Sequence, residues 1–323
     1  MANHNHRHLH ILSKENKDTG FGTNAADSYG GRFLNKDGTM NMRRDGISIF
    51  KKISIFHRML TMPLWRFITV ILLFYFAINL AFAIIYIIIG VEQLEGIRSA
   101  GIWQNFKQVF YFSTQTFTTV GYGRVSPVGD AANVISSIEA LTGFLSFAIA
   151  TGLIYGRFAR PKPYLKFSEN ALISPFGDKT ALMFRLASYK DNHNLTDVDV
   201  LINLGMLVAE NGNKPEYKFY RIELERSKIE SLVMNWTIVH PIDEKSPLYG
   251  LTAEDMKMAD VELYVLIRGF DEVFSSVVQQ RTSYIYSEIL HNRKFTPMYR
   301  ESEDGKTSIL EMDKLDDHVE VKK

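Results

Sequence analysis

The chain contains two long apolar stretches separated by a shorter apolar segment. The first runs from Phe67 to Ile89 without a charged residue. A helix over this stretch is roughly 35 Å long, because each residue adds about 1.5 Å, and this length crosses a hydrocarbon core of about 30 Å. The second stretch, 131–157, contains one interior acid, Glu139. The pattern therefore predicts two membrane spans, at 64–90 and 131–158.

The charges beside the two predicted spans are unequally distributed. Two crossings place the outer flanks of the pair on one side of the membrane, and those flanks are rich in lysine and arginine, whereas the connection over 91–130 balances both signs. Basic residues concentrate on the cytoplasmic side of membrane proteins. We therefore expect a multi-pass protein of the cell inner (plasma) membrane with both termini in the cytoplasm. The basic residues nearest the predicted inner membrane edge are Lys51, Arg58, Arg66, Arg157, Arg160 and Lys162.

A short amphipathic segment precedes the first span. Ile49, Ile53, Phe56 and Leu60 recur at helical spacing, and basic side chains occupy another face. This pattern suits a helix in the membrane surface, and we predict an interfacial helix over 47–62. An amphipathic helix packed on the soluble part of the chain gives the same pattern, so both alternatives stay open.

An aromatic segment between the spans leads into a glycine-containing strand. Val109 to Phe117 is too short to cross a bilayer, so we predict a re-entrant helix over 105–117. The sequence Thr119-Val120-Gly121-Tyr122-Gly123 follows. Non-helical backbone at membrane depth requires protein or water around it. A potassium selectivity filter, in which carbonyl oxygens replace the hydration shell of K⁺, meets this requirement.

The residue types of this strand suit such a filter. Gly121 and Gly123 permit positive φ, which lets successive carbonyl groups point to one side, and the Tyr122 side chain braces the strand from outside. One chain supplies one oxygen per layer, whereas selectivity needs rings of four. The motif therefore predicts a homotetramer, with three identical partner subunits and K⁺ as the permeant ion. The alternative is a glycine-rich turn of a membrane hairpin.

Three positions of the second span bear on the pore. Glu139 marks either an acidic ring beneath the filter or a buried hydrogen-bonded acid with Gln115 or Thr114 as its partner, and both alternatives stay open. Gly143 is either a bend or a small residue that permits close helix packing. Tyr155 is either an aromatic constriction or an interfacial aromatic among lipid headgroups.

The second half of the chain has β patterning. Short alternating runs with turn signals such as 211–213 predict a cytoplasmic β-sandwich over 161–298. It carries no nucleophile elbow, P-loop, dinucleotide fingerprint or HExxH zinc motif, so we expect no enzyme and no organic cofactor. We predict disorder over 1–46, which is polar and rich in Gly, Asn and His, and over 299–323, which mixes both charge signs.

The overall composition excludes several classes of function and site. Lysine and arginine total 37 against 36 acidic residues, which gives no basis for nucleic-acid binding. The absence of cysteine excludes disulfides, thiolate metal sites and a cysteine nucleophile. Alternating histidines at positions 4, 6, 8 and 10 form a loose metal-binding tract without fixed geometry. Membrane lipids are the remaining predicted partner besides identical subunits.

The order of these elements resembles the inward-rectifier potassium channels, especially the prokaryotic KirBac group. The likeness covers about 46–295. Beyond the filter it includes GLIYGRFARP over 152–161, WTIVHPID over 236–243, and GFDE from residue 269 followed by RTSY from residue 281. The resemblance implies a two-span α-helical pore domain over 63–160 joined to an all-β, immunoglobulin-like cytoplasmic sandwich, assembled as a homotetramer.

The resemblance also implies roles for individual residues. Gly143 matches the hinge glycine of the family, and Tyr155 matches the aromatic position at the helix-bundle crossing. The basic residues at the inner membrane edge stand where family members meet anionic lipid headgroups. The resemblance therefore implies gating at the inner helices with modulation by lipid and by the cytoplasmic domain.

The chain departs from the family pattern at two places. Phe147 stands where strongly rectifying members carry an acid in the cavity, so strong block by Mg²⁺ or polyamines is not expected. Gln115 and Val125 replace the acid and the arginine that pair behind the filter of animal channels, and Arg124 lies one position before Val125.

We therefore expect a passive, voltage-independent potassium channel, since no span carries repeated arginines. The alternative is a membrane-anchored binding or sensor protein with a non-conducting pore.

Overall fold

The computed structural model describes residues 32–43, 45–46, 48, 54–98, 101–191, 193–208 and 216–321. The chain divides into two compact units. The membrane unit is 45–160, and the sandwich unit combines 1–44 with 161–323. The histidine tract, Lys51, the turn at 211–213 and most of the predicted interfacial segment before residue 54 lie outside the described residues.

The described residues of the membrane unit form four α-helices. They are α1 (Ile55–Thr61), α2 (Leu64–Ile89), α3 (Ile102–Phe117) and α4 (Asp130–Phe158). Helices α2 and α4 are long and apolar enough to cross a membrane. Helix α1 begins at a Ser54 cap, whose hydroxyl oxygen accepts from the backbone N–H of His57 at 3.3 Å. Helix α3 begins three residues before the predicted re-entrant helix.

The three longer helices share one buried cluster. Phe82 and Tyr86 of α2 pack against Val109 and Phe112 of α3, and Ala132 of α4 completes the contact. Two short strands, β1 (Leu94–Glu95) and β2 (Ser126–Pro127), pair antiparallel and tie together the loops on either side of α3. Helix α3, the predicted re-entrant helix, is therefore held by these contacts within a single chain.

The sandwich unit contains two five-stranded sheets. One has the order β11-β10-β6-β7, with β8 also pairing β6, and the other has the order β12-β4-β5-β3, with β9 also pairing β5. Pairing is antiparallel throughout these sheets except between β12 and β4. The strands are β3 (Leu165–Phe167), β4 (Ala171–Phe176), β5 (Lys179–Ser188), β6 (Leu195–Val208), β7 (Glu216–Arg221), β8 (Lys228–Leu232), β9 (Asn235–Ile242), β10 (Glu262–Asp271), β11 (Ser276–Ile285) and β12 (Ile289–His291). A short helix, α5 (Ala253–Met258), precedes β10.

Alternation along the strands builds the core of this unit. Leu182, Phe184 and Leu186 of β5 and Ile202 and Leu204 of β6 belong to one buried apolar cluster. Residues at every second position of a strand share one face, so these side chains are directed to the same core. The predicted all-β sandwich is confirmed by the two sheets.

The predicted disorder at the C-terminus is wrong. The strands β13 (Arg293–Phe295), β14 (Tyr299–Glu301), β15 (Ser308–Leu310) and β16 (His318–Glu320) pair as β13–β16 and β14–β15. Met298 and Leu315 are buried against Ala187 of β5. The segment is too charged to form a core alone, but its few apolar residues bury against a sheet that already exists.

The predicted disorder at the N-terminus is also wrong for residues 32–41. Leu34 is buried against Tyr217, Phe219 and Tyr264. Both backbone N–H groups of Phe33 and Leu34 donate to the buried carboxylate of Glu262. A segment that is polar on average is ordered here because one leucine and paired polar groups dock on the sandwich.

Candidate functional site

The predicted filter strand has an alternating backbone. Thr119, Gly121 and Gly123 have φ of 60°, 49° and 76°, while Val120 and Tyr122 between them have negative φ. Alternation of left-handed and right-handed conformations aligns successive peptide groups on one side of a strand. The positive φ predicted for the two glycines is confirmed. Positive φ at a β-branched threonine is strained and is found mainly at functional sites.

The amide groups at the start of the strand turn back to the end of α3. The N–H of Thr119 donates to the carbonyl of Thr116 at 3.0 Å. The N–H groups of Val120 and Gly121 both donate to the carbonyl of Gln115, at 2.9 and 3.3 Å. Within the described part of the chain, the carbonyl oxygens of 119–123 accept no hydrogen bond, and all five residues are exposed. The strand therefore offers a free row of carbonyl oxygens.

Glu139 is enclosed between α2, α3 and α4 and does not lie on an open face of α4. Its carboxyl group is fully buried and accepts from the hydroxyls of Ser113 at 2.5 Å and Tyr86 at 2.8 Å. A side chain enclosed by its own subunit does not line a central pore. Of the two alternatives for Glu139, the buried hydrogen-bonded acid describes the geometry and the acidic ring does not. Its partner on α3 is Ser113, so the predicted partners Gln115 and Thr114 are wrong.

Gly143 lies one turn further along the same face of α4. An added β-carbon would come within 1.9 Å of the carbonyl oxygen of Phe117, the last residue of α3. Helix α4 continues without interruption through this position. Of the two alternatives left open by the sequence, close helix packing describes the geometry.

Phe147 and Tyr155 continue the four-residue spacing of Glu139 and Gly143 towards the C-terminal end of α4. Each four-residue step turns this row by about 40° around the helix axis, and at these two positions the row is exposed. Both side chains are 74% exposed, and Thr151 lies between them at the same four-residue interval. Residues spaced by four form one stripe along a helix. Of the predicted pore and gate residues on α4, these two are therefore accessible from outside the chain.

The predicted lipid-binding residues divide into two groups. Arg157 donates from Nη1 to the carbonyl of Met59 at 3.3 Å and from Nη2 to that of Met62 at 2.5 Å, and its guanidinium lies over the ring of Phe67 at 5.4 Å. Arg157 therefore links α4 to the end of α1 through these two hydrogen bonds. The other described candidates, Arg58, Arg66, Arg160 and Lys162, are exposed.

Arg124 does not replace the acid–arginine ion pair that this chain lacks at Gln115 and Val125. Its side chain is exposed, and within the described part of the chain it makes no ion pair.

Sequence reasoning missed the residues that actually contact Glu139, together with Asn79, which is also fully buried. The signal for Asn79 was present, since it is the one amide side chain in the uncharged stretch from Phe67 to Ile89. Ser113 gave no such signal, because it is one of several polar residues in α3.

Two family models match the chain. Residues 70–160 match the model described as ion channel, and residues 165–323 match the inward rectifier potassium channel C-terminal domain. The chain is 34% identical over 279 residues to the inward rectifier potassium channel Kirbac3.1 of Paramagnetospirillum magnetotacticum, which covers 86% of this chain and 92% of that protein. The chain belongs to the inward rectifier potassium channel family.

Human relatives are also similar to this chain. It is 30% identical over 264 residues to the human ATP-sensitive inward rectifier potassium channel 12, covering 74% of this chain and 59% of the relative. It is 31% identical over 207 residues to the human inward rectifier potassium channel 4, covering 60% of this chain and 45% of the relative. The chain thus spans less than two thirds of these human relatives. Inward rectifiers are tetrameric ion channels and not enzymes, so the predicted family, fold and non-enzymatic class are confirmed.

Proposed function

We propose that four copies of this chain assemble around a pore and conduct K⁺ passively through rings of carbonyl oxygens from 119–123. The observation that carries this proposal is the alternating φ of the strand together with its amide groups, which are directed to the end of α3. The carbonyl oxygens are left free, and four copies of such a row supply the oxygen shell that replaces hydration water around K⁺. The ion is the transported substrate.

The gate in this proposal lies on the exposed stripe of α4. Four Tyr155 side chains meeting at the inner end would close the pore with aromatic rings, and Phe147 would face the cavity between filter and gate. Because Gly143 is packed on Phe117, the part of α4 that moves is the part below Gly143. Motion there opens the inner pore without displacing α3.

The membrane surroundings complete the proposal. We place the protein in the cell inner (plasma) membrane with both termini in the cytoplasm, because the basic flanks of α2 and α4 favour that side. Anionic lipid headgroups are attracted to exposed arginine and lysine near the membrane surface. The residues proposed to meet them are Arg58, Arg66, Arg160 and Lys162, with Lys51 as a further candidate outside the described residues.

Rubidium uptake by proteoliposomes tests this function. Purified protein in vesicles loaded with K⁺ should accumulate radioactive rubidium, because the outward K⁺ gradient makes the vesicle interior negative and drives the uptake. External barium should block the uptake, and external Na⁺ should not compete. Adding or withholding anionic lipid should change the rate. Purified tetramers that give no uptake in either lipid would favour a non-conducting binding protein, and a monomer in mild detergent would contradict the assembly.

A further inference from the structure

A cluster of four polar side chains lies between the three long helices of the membrane unit. Asn79 and Tyr86 come from α2, Ser113 from α3 and Glu139 from α4, and all four are fully buried. Here this set is called the buried polar cluster. Polar groups enclosed in a membrane protein require partners, because lipid offers none. The cluster therefore has one favourable arrangement, which fixes the three helices relative to one another.

Ser113 is the centre of the cluster on α3. Its hydroxyl lies 2.5 Å from Oε1 of Glu139 and 3.1 and 3.2 Å from the backbone oxygen and Oδ1 of Asn79. The other carboxyl oxygen of Glu139 accepts from the hydroxyl of Tyr86 at 2.8 Å. Both carboxyl oxygens of Glu139 therefore accept a hydrogen bond, one from Ser113 of α3 and one from Tyr86 of α2.

The contact between Ser113 and Glu139 is in register with a second contact one turn further on. Ser113 and Phe117 are four residues apart on α3, and Glu139 and Gly143 are four residues apart on α4. Gly143 packs on the Phe117 carbonyl group, where an added β-carbon would be 1.9 Å away. The hydrogen bond to Ser113 and the backbone contact at Phe117 therefore hold one face of α4 along the last turn of α3.

The same turn of α3 supports the filter strand. Gln115 lies between Ser113 and Phe117, and its carbonyl oxygen accepts the N–H groups of Val120 and Gly121. A shift of this turn moves that carbonyl and the peptide planes it holds. Sub-ångström shifts of the coordinating carbonyl oxygens matter in a filter, because ion selectivity depends on the placement of these groups.

We propose that Glu139 is a positioning residue for ion selectivity, which acts by holding the last turn of α3 through Ser113. This inference rests on the proposed potassium conduction. Glu139 touches neither the ion nor the filter carbonyls, and its effect reaches them through Ser113, the last turn of α3 and Gln115. Tyr86 shares the same carboxyl group but joins it to α2, which carries no filter residue.

Two single substitutions separate positioning from general stabilisation. Ser113→Ala removes the hydrogen bond between Glu139 and α3, whereas Tyr86→Phe removes the one between Glu139 and α2. Each variant removes one hydroxyl group that donates to the same acid and changes no other side chain. Ser113→Ala also removes the contact of that hydroxyl with Asn79. The readout is the ratio of K⁺ to Na⁺ permeability, measured from bi-ionic reversal potentials of full-length tetramers in planar bilayers, with the thermal midpoint of the tetramer measured in parallel.

We expect Ser113→Ala to lower the permeability ratio at least fivefold and Tyr86→Phe to change it less than twofold, while both lower the thermal midpoint. An unchanged ratio in Ser113→Ala, or an equal change in both variants, would overturn the proposal. If Ser113→Ala does not assemble, Glu139→Asp provides the same test, because it withdraws the carboxyl group from Ser113 by one methylene. A ratio in tetrameric Glu139→Asp equal to that of the unmodified channel would also overturn it.

The unmodified channel separates this inference from the function on which it rests. A selective unmodified channel with unaffected variants contradicts only the role of Glu139. An unmodified channel that does not discriminate K⁺ from Na⁺ contradicts the proposed function itself.

Discussion

Gly143 of α4 lies directly against the carbonyl oxygen of Phe117, the last residue of α3, two residues before the proposed filter strand. No other residue type fits there, because the β-carbon of any side chain would stand 1.9 Å from that oxygen. Helix α4 is thereby held close to the end of α3. Gly152, on the same helix, has nothing within 4 Å of an added β-carbon.

This contrast gives the first prediction. Gly143→Ala should force α4 away from α3 and lower the stability of the tetramer by about 1–3 kcal/mol or more, the usual effect of overpacking. Gly152→Ala should leave stability unchanged or raise it by up to about 1 kcal/mol, because alanine favours the helix. Size-exclusion chromatography and the thermal midpoint of each variant check this. Equal stability of the two variants would show that the Phe117 contact is unimportant.

A second prediction concerns the backbone of the filter. Gly121→Ala adds a methyl group that meets no atom within 4 Å, but it places alanine at φ of 49°. Since left-handed conformations disfavour a β-carbon, we expect the local backbone to rearrange and selective rubidium uptake to fall at least tenfold.

Gly250→Ala is the matched control for this strain. Gly250 has φ of 73°, equally open space, and a place in the sandwich unit. It should cost similar stability, about 1–2 kcal/mol, without loss of selectivity. Loss of selectivity in both variants, or in neither, would contradict the filter assignment.

A third prediction separates helix anchoring from lipid binding among the basic residues. Arg157→Gln removes two hydrogen bonds to backbone carbonyls at the end of α1 and the contact with the Phe67 ring. We expect stability to fall by about 1.5–3 kcal/mol, as for hydrogen bonds from charged groups. Arg160→Gln, which changes an exposed side chain, should alter stability by less than about 0.5 kcal/mol and weaken the response to anionic lipid. Thermal unfolding and flux in vesicles with and without anionic lipid measure both. The reverse pattern would assign Arg157 to lipid.

How far sequence reasoning succeeds differs between the two units. The two long apolar helices and the positive φ of Gly121 and Gly123 were predictable, because an uncharged stretch such as Phe67 to Ile89 and the glycines of 119–123 carry their signal locally. The burial of Leu34 and Leu315 was not predictable, because each depends on a surface formed by strands distant in sequence. Glu139 shows the same limit. The sequence identifies it as a costly acid, and only the three-dimensional packing selects Ser113 and Tyr86 as its partners.

A fourth prediction concerns the pH dependence of the sandwich unit. His240 is buried, with Nδ1 2.6 Å from the carbonyl oxygen of Glu223 and Nε2 2.8 Å from the hydroxyl of Ser246. Nδ1 donates to the carbonyl, and in the neutral ring Nε2 accepts from the serine hydroxyl. Burial lowers the pKa of His240 below its ordinary value of 6.5, and burial also lowers the pKa of His291.

The sign of the effect follows from proton binding. Below pH 6.5 the unfolded chain binds protons that the folded unit does not, so the free energy of unfolding decreases as the pH falls through 6.5 and continues to decrease until the folded histidines titrate. One histidine contributes at most about 1.4 kcal/mol per pH unit. His240→Gln should reduce this slope and leave the contribution of His291.

Fluorescence of Trp236 reports unfolding of this unit, because the other two tryptophans, Trp65 and Trp103, lie in the membrane unit and can be replaced by phenylalanine. Urea unfolding of tetramers at several pH values between 7.5 and 5.5 gives the slope. A slope that is the same with and without His240 would contradict the assignment.

The position of ions on the tetramer axis tests the central claim most directly. Anomalous scattering from crystals grown in rubidium should show discrete peaks on a fourfold axis, each surrounded by carbonyl oxygens from 119–123 of four chains. Carbonyl groups that point away from a common axis, or an axis occupied by lipid without rubidium, would contradict the account.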